Sequence, residues 1–170
     1  MGMFDFVREA GGKLGSKIYD LTHDDEDITK PTTIKPERLN ALRAKTIERE
    51  IEASGILVEH LGVQVDQSKA VLTGQTNQQA DYEKLALIAG NQQGIEKVDN
   101  QVVIKAAVED IPESTFYTVK SGDTLSKIAK SYYGDPGKYQ KIFEANQPML
   151  TDPDKIYVGQ SLRIPAAETV

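Results

Sequence analysis

The chain of 170 residues has no cysteine and only two histidines, His23 and His60. Without cysteine no disulfide and no thiolate metal site can form, which fits a reducing compartment. Neither histidine has a partner at metal-ligand spacing, and neither is assigned a role. Basic residues are fewer than acidic ones, 20 against 26, for a formal charge of −6. With no cationic surplus to neutralise phosphates, nucleic-acid binding is not expected. No apolar run approaches the length of a membrane span, so no integral membrane segment is expected. Met1–Ala10 lacks the basic region and apolar stretch of a secretory leader, and position 6 is Phe where a myristoylation signal has Ser or Thr. The expectation is a cytoplasmic chain. No nucleophile–base set is present and carboxylates such as Asp123 and Glu144 are scattered, so no enzyme is expected. The acidic run Asp24–Asp27 lacks the alternating oxygen ligands and central glycine of a calcium loop, and it reads as a solvated stretch. What remains, 39% hydrophobic and 27% charged residues, is ordinary globular composition, enough for one or two small domains.

The strongest pattern lies between Phe116 and Pro165. Leu125, Ile128, Ala129 and Tyr132 fall at i, i+3, i+4 and i+7, one face of a helix. Asp123 is expected to cap its start and Gly134 to end it. Asp135–Pro136 opens a second helix whose buried face is Tyr139, Ile142 and Phe143, and Pro148 stops it. Tyr117–Val119 and Ser161–Ile164 read as short strands, giving strand–helix–helix–strand.

Upstream, a helix is expected from about Glu37 to Ala53, with Leu39, Leu42, Ile47 and Ile51 inward and Gly55 after it. Leu61, Val63 and Val65 alternate with Gly62, Gln64 and Asp66 as a strand. Gln67–Ser68–Lys69 makes a turn, Ala70–Thr73 returns as a second strand, and Gly74 is expected to end it. Tyr82, Leu85, Ala86 and Ala89 share a helix face, Gly90–Asn91 stops that helix, Gly94 allows another unusual backbone angle, and Val98, Val102 and Ile104 close the unit as a strand. Residues 3–18 read as a short amphipathic helix carrying Phe4 and Val7 and interrupted at Gly11–Gly12. The expected organisation is an N-terminal helix and acidic linker over 1–36, a first domain over 37–105, a linker over 106–115, a second domain over 116–165 and a tail over 166–170. The fold class is α+β.

Two family resemblances attach to these stretches. "YTVKSGDTLSKIAKSYYGD" and "IYVGQSLRIP" resemble the two most specific parts of a LysM domain. The resemblance implies a βααβ fold and a shallow groove for N-acetylglucosamine polymers. That groove would involve Gly122, Asp123, Thr124 and Leu125 on one loop, and Asn146 and Met149 to Ile156 on the other. Read without the resemblance, Gly122 and Asp123 are turn and cap residues. "AVLTG", with the Gly90–Asn100 run "GNQQGIEKVDN", resembles a BON domain, αββαβ, a module of interaction or ligand binding.

Over its whole length, including "MGMFDFVREAGGKL" and "FEANQPMLTDPDKIYVGQSLRIP", the chain resembles the bacterial cytoplasmic potassium-binding family, in which a BON domain precedes a LysM domain. That resemblance implies selective, reversible K⁺ binding with a more compact protein when the ion is present, in potassium sensing or buffering under ionic stress. K⁺ is large and singly charged, and neutral carbonyl oxygens can replace its hydration shell. Helix C-termini supply unpartnered carbonyls at a negative dipole end, and glycines let the chain fold back so that they converge. The expected donors are the backbone carbonyls of Val7, Ala10 and Gly12 and of Gly90, Gln92 and Ile95. Substituting Gly90 with Val is expected to strain this loop if Gly90 has positive φ. The competing readings are a carbohydrate-binding adaptor, weakened by the missing export signal, and a scaffold that binds a protein or membrane surface through the BON domain. The chain is expected to be a monomer, its protein partner unidentified.

Overall fold

The computed structural model describes residues 2–5, 35–105 and 113–167. Over these the chain is α+β and is built on two separate sheets, one five-stranded and one two-stranded.

The larger unit begins with α1, Pro36–Ala53. Pro36 sits in its first turn, where a missing N–H costs nothing, and Gly55 follows its end with φ +73°. Ile47 and Ile51 are its fully buried residues. Strands β2, Glu59–Asp66, and β3, Lys69–Thr76, form an antiparallel hairpin turning at Gln67–Ser68, with Gln67 at φ 53°. Helix α2, Gln79–Gly90, then crosses to β4, Lys97–Asn100, which runs parallel to β3. A short β5, Val103–Ile104, continues beside the end of β3. Val63, Ala70, Leu72 and Val98 on one face of the sheet close the core with α1 and with Leu85, Ala86 and Ala89 of α2. The expected order of helix, strand, strand, helix, strand is present, but the expected last strand through Val98, Val102 and Ile104 is split into β4 and β5 at Gln101–Val102.

Three local expectations are corrected. Residues 3–5 do not begin a helix. Gly2–Asp5 is β1, antiparallel to β4 with Phe4 opposite Val98. Met3-Phe4-Asp5 is short enough to suit either period, and the open edge of β4 supplies the hydrogen-bonding partner that settles it. The rest of the expected helix, including Val7, Ala10 and Gly12, lies outside the described residues, as does the acidic linker up to residue 34. Gly74 does not end its strand. It sits inside β3 at φ +140°, opposite a register shift between Glu59 and Gly62, and a Cβ there would lie 2.9 Å from the Glu59 carbonyl oxygen. It marks a bulge. Finally, α2 is buried on more than its expected face: Glu83, Leu87 and Ile88 are covered as well.

The smaller unit explains that extra burial. It comprises β6, Thr115–Thr118, α3, Leu125–Tyr133, a 3₁₀ turn at Pro136–Lys138, α4, Tyr139–Ala145, and β7, Ser161–Ile164. Its strands are antiparallel, with Tyr117 opposite Leu162. Leu125, Ile128, Ala129, Ile142, Leu150, Leu162 and Ile164 form its core. Gly134 closes α3 at φ +72°, and the Asp135 carboxylate accepts from the Gly137 N–H. The cap of α3 is Thr124 and not Asp123: Thr124 Oγ1 accepts from Lys127 N at 3.2 Å. Asp123 instead accepts from Lys120 N at 2.8 Å and from the Tyr117 hydroxyl at 2.7 Å, tying the loop to β6. Among the described residues, no helix is long and apolar enough to cross a membrane.

Candidate functional site

Strand β7 pairs with β6 along one edge only. In an antiparallel ladder every second residue turns its N–H and C=O away from the partner, and buried groups of this kind need other partners. At Ser161 and Arg163 two asparagine side chains supply them. Asn146 donates to Arg163 O at 2.7 Å and accepts from Arg163 N at 2.7 Å. Asn91 donates to Ser161 O at 3.0 Å and accepts from Ser161 N at 2.9 Å. Each carboxamide imitates a peptide group of a neighbouring strand. Each asparagine is the C-cap residue of its helix, and each amide also donates to the carbonyl four residues back, Leu87 or Ile142. The Asn146 clamp lies within the smaller unit. The Asn91 clamp crosses from the larger unit to the smaller.

A charge pair reinforces this joint. Arg163 Nε donates to Glu83 Oε2 at 2.5 Å, with 10% of the arginine side chain and 3% of the glutamate side chain exposed. Glu83 also accepts from Gln79 Nε2 at 2.9 Å and from Ser114 N at 3.1 Å. Burial pushes the carboxyl upward, but these hydrogen bonds outweigh it and hold its pKa below the ordinary value. Phe4 bridges the same joint, its ring 5.0 Å from Phe116 and 6.4 Å from Tyr82 between centroids. Beside Asn91 opens a cleft of about 380 Å³ whose walls include Glu50, Ile88, Gln92, Met149, Tyr157 and Gln160, from both units.

Of the six expected ion donors, the structure describes three. Gly90 is the last residue of α2. It is not among the glycines with positive φ, so Gly90→Val has no left-handed backbone to strain; the residue that needs glycine here is Gly94, at φ +81°. Gln92 and Ile95 are buried. The Gln92 carbonyl accepts from Ile95 N at 3.2 Å, and its side chain folds back on the Ile88 carbonyl. A carbonyl oxygen has two lone pairs, so one hydrogen bond leaves an acceptor direction. The loop lies at the negative end of α2. Among the described residues no three of His, Cys, Asp or Glu gather at one place, so what the loop offers is neutral carbonyl oxygen.

The expected sugar residues differ in exposure. Gly122, at φ +83°, and Thr124 are exposed, and the Gly122 carbonyl accepts from Lys127 Nζ at 2.7 Å. Leu125 is core, Ile156 packs on that core, and Asn146 is buried with its amide on β7. Met149 faces the larger unit, its Sδ 3.4 Å from Asn91 Nδ2. Sequence reasoning overlooked Glu83, Asn91 and Arg163. The readable signal was an arginine between the inward Leu162 and Ile164 of a strand, a place where a charge needs a partner.

The BON domain family profile matches residues 40–106, and the LysM domain profile matches residues 117–165. The chain is 43% identical to the protein named potassium binding protein Kbp of Escherichia coli O6:H1, over 97% of this chain and 99% of that protein. An uncharacterized protein of Deinococcus radiodurans is 34% identical over 72% of this chain and 51% of its own length. A protein of Mycobacterium tuberculosis named as an esterase is 46% identical over 54 residues, 32% of this chain and 11% of the esterase.

Proposed function

We propose that this chain, which belongs to the family of the Escherichia coli potassium binding protein and carries a BON domain followed by a LysM domain, binds K⁺ reversibly and selectively and reports the ion through the joint between its two domains. The observation that carries this reading is the position of Asn91. It stands between Gly90 and Gln92 in the loop of neutral carbonyls, and its side chain is the clamp on Ser161 of the other domain. A cation that fixes the loop therefore also fixes the clamp. The donors on this side are the carbonyls of Gly90, Gln92 and Ile95, with those of Val7, Ala10 and Gly12 completing the set.

An ion shifts a conformational equilibrium only by its differential affinity for the two states. Here the differential arises because converging carbonyls repel one another without a cation, loosening the loop and with it the hold on β7. The proposed role is a cytoplasmic potassium sensor or buffer, more compact when loaded, with working units at residues 37–105 and 116–165. Calorimetric titration of desalted protein with KCl, against NaCl as control, tests the binding; small-angle scattering on the same samples tests the compaction. Saturable heat with K⁺ and little with Na⁺, together with a smaller radius of gyration in K⁺, is expected. No saturable heat with K⁺ removes the reading.

A further inference from the structure

Arg43 of α1 packs against Gly94 of the Gly90–Ile95 loop. Its Nη1 donates to the Gln67 carbonyl at 2.8 Å, which anchors the side chain across the hairpin turn. The guanidinium lies directly on Gly94: a Cβ built there would stand 2.2 Å from Nη2 and 2.7 Å from Cζ. Glycine is thus required twice at this position, for φ +81° and for room under the arginine. Arg43 Nε is buried and has no hydrogen-bond partner. Burial also disfavours its charge. The guanidinium shares a hollow of about 650 Å³ with Gln67, Ser68, Gln93, Gly94 and Glu96, where the Glu96 carboxylate accepts from Ser68 Oγ at 3.1 Å.

An arginine cannot shed its charge at physiological pH. Gly94, on which it packs, is next to Ile95 and two residues from Gln92 in the chain, the carbonyl donors proposed above. The loop's own donors are neutral oxygens, so the charges beside it are those of the hollow, the Arg43 guanidinium and the Glu96 carboxylate, and removing the guanidinium makes the field at the loop less positive.

We propose that Arg43 is a resident cation that opposes ion uptake by the Gly90–Ile95 loop and thereby sets its affinity, an inference that rests on the K⁺ reading. Between like charges in a partly solvated site the repulsion is worth roughly a three- to tenfold change in affinity. It weakens as salt screens it. The guanidinium therefore lowers K⁺ affinity, so that the loop fills at higher ion concentration than its carbonyls alone would give.

The test is calorimetric titration with KCl of the wild type, two neutral variants, R43Q and R43M, and the charge-keeping R43K, at low and high choline chloride, with circular dichroism to confirm each fold. R43M keeps an apolar stem over Gly94, so a fold-competent neutral variant remains if R43Q unfolds. The neutral variants are expected to bind K⁺ about three- to tenfold more tightly than the wild type, R43K to stay near it, and the gain to shrink at high choline chloride. Equal or weaker binding in the neutral variants, or R43K that follows them, overturns the role of Arg43. A wild type that takes up no K⁺ overturns the ion reading itself, and this inference with it.

Discussion

Asn91 and Asn146 hold alternate residues of one strand edge by the same chemistry, but their removal has different consequences. Truncating either to Ala orphans a buried N–H and C=O of β7, at about 1–3 kcal/mol for each group left without a partner. For N146A, whose clamp is internal to the smaller domain, the expected result is a fall in that domain's stability by about 2–6 kcal/mol, read by urea unfolding. For N91A the domains keep their folds and the joint loosens, so the Ser161 amide exchanges with solvent faster while the core amides of each domain do not. A Ser161 amide still protected in N91A would refute the clamp. Tyr117 offers a second residue-scale check. Its hydroxyl donates to Asp123, and with burial this pushes its pKa from 10.0 up to about 12. A raised phenol contributes stability that is complete below the ordinary value and is lost as pH rises through the higher one. In D123N the Tyr117 titration should fall back toward 10.0, which phenolate absorbance measures.

At the scale of elements, glycines separate backbone need from packing need. Gly134 at φ +72° has nothing near its missing Cβ, so G134A should cost only about 1 kcal/mol. Gly94 has the same kind of backbone and a guanidinium in contact, so G94A should cost on the order of 2 kcal/mol or more and disturb the loop as well. Equal unfolding midpoints for the two variants would count against the Arg43 contact. The elements themselves were largely legible. Caps, breakers and the 3.6-residue period located α1 to α4, and alternation located β2, because these signals arise within a few residues of chain. What was not legible depended on neighbours distant in sequence. Met3–Asp5 became a strand because β4 offers it an edge. Gly74 stayed inside its strand, facing a bulge, because β2 carries an extra residue opposite it. The glycine turn after α2 was legible, with an unusual backbone angle expected at Gly94; the condition of positive φ at Gly90 is not met, because Gly90 is still the last residue of the helix. Asn91 reads locally as a helix stop, and only the approach of β7 gives its side chain a second use.

For the whole molecule, the joint is where acid should act first. Glu83 is buried, faces Arg163 across the domains and accepts two further hydrogen bonds, from Gln79 and Ser114. Its pKa in the fold is held below the ordinary 4.5. A depressed carboxylate contributes stability that is full above the ordinary value and is lost as pH falls through the lower native one. Protonation would leave the Arg163 charge buried without its counter-ion, and breaking such a pair costs about 3–5 kcal/mol. Falling pH should therefore separate the LysM domain from the BON domain below 4.5, seen as a rise in radius of gyration and faster exchange at Ser114 and Ser161. E83Q mimics the protonated carboxyl. It should be loose already at neutral pH and should have lost this acid step, while the K⁺ uptake proposed for the loop should persist with a weaker compaction. If E83Q opens at the same acid midpoint as the wild type, the joint is not held by this pair, and the asparagine clamp and the Phe4 stack would have to hold it alone.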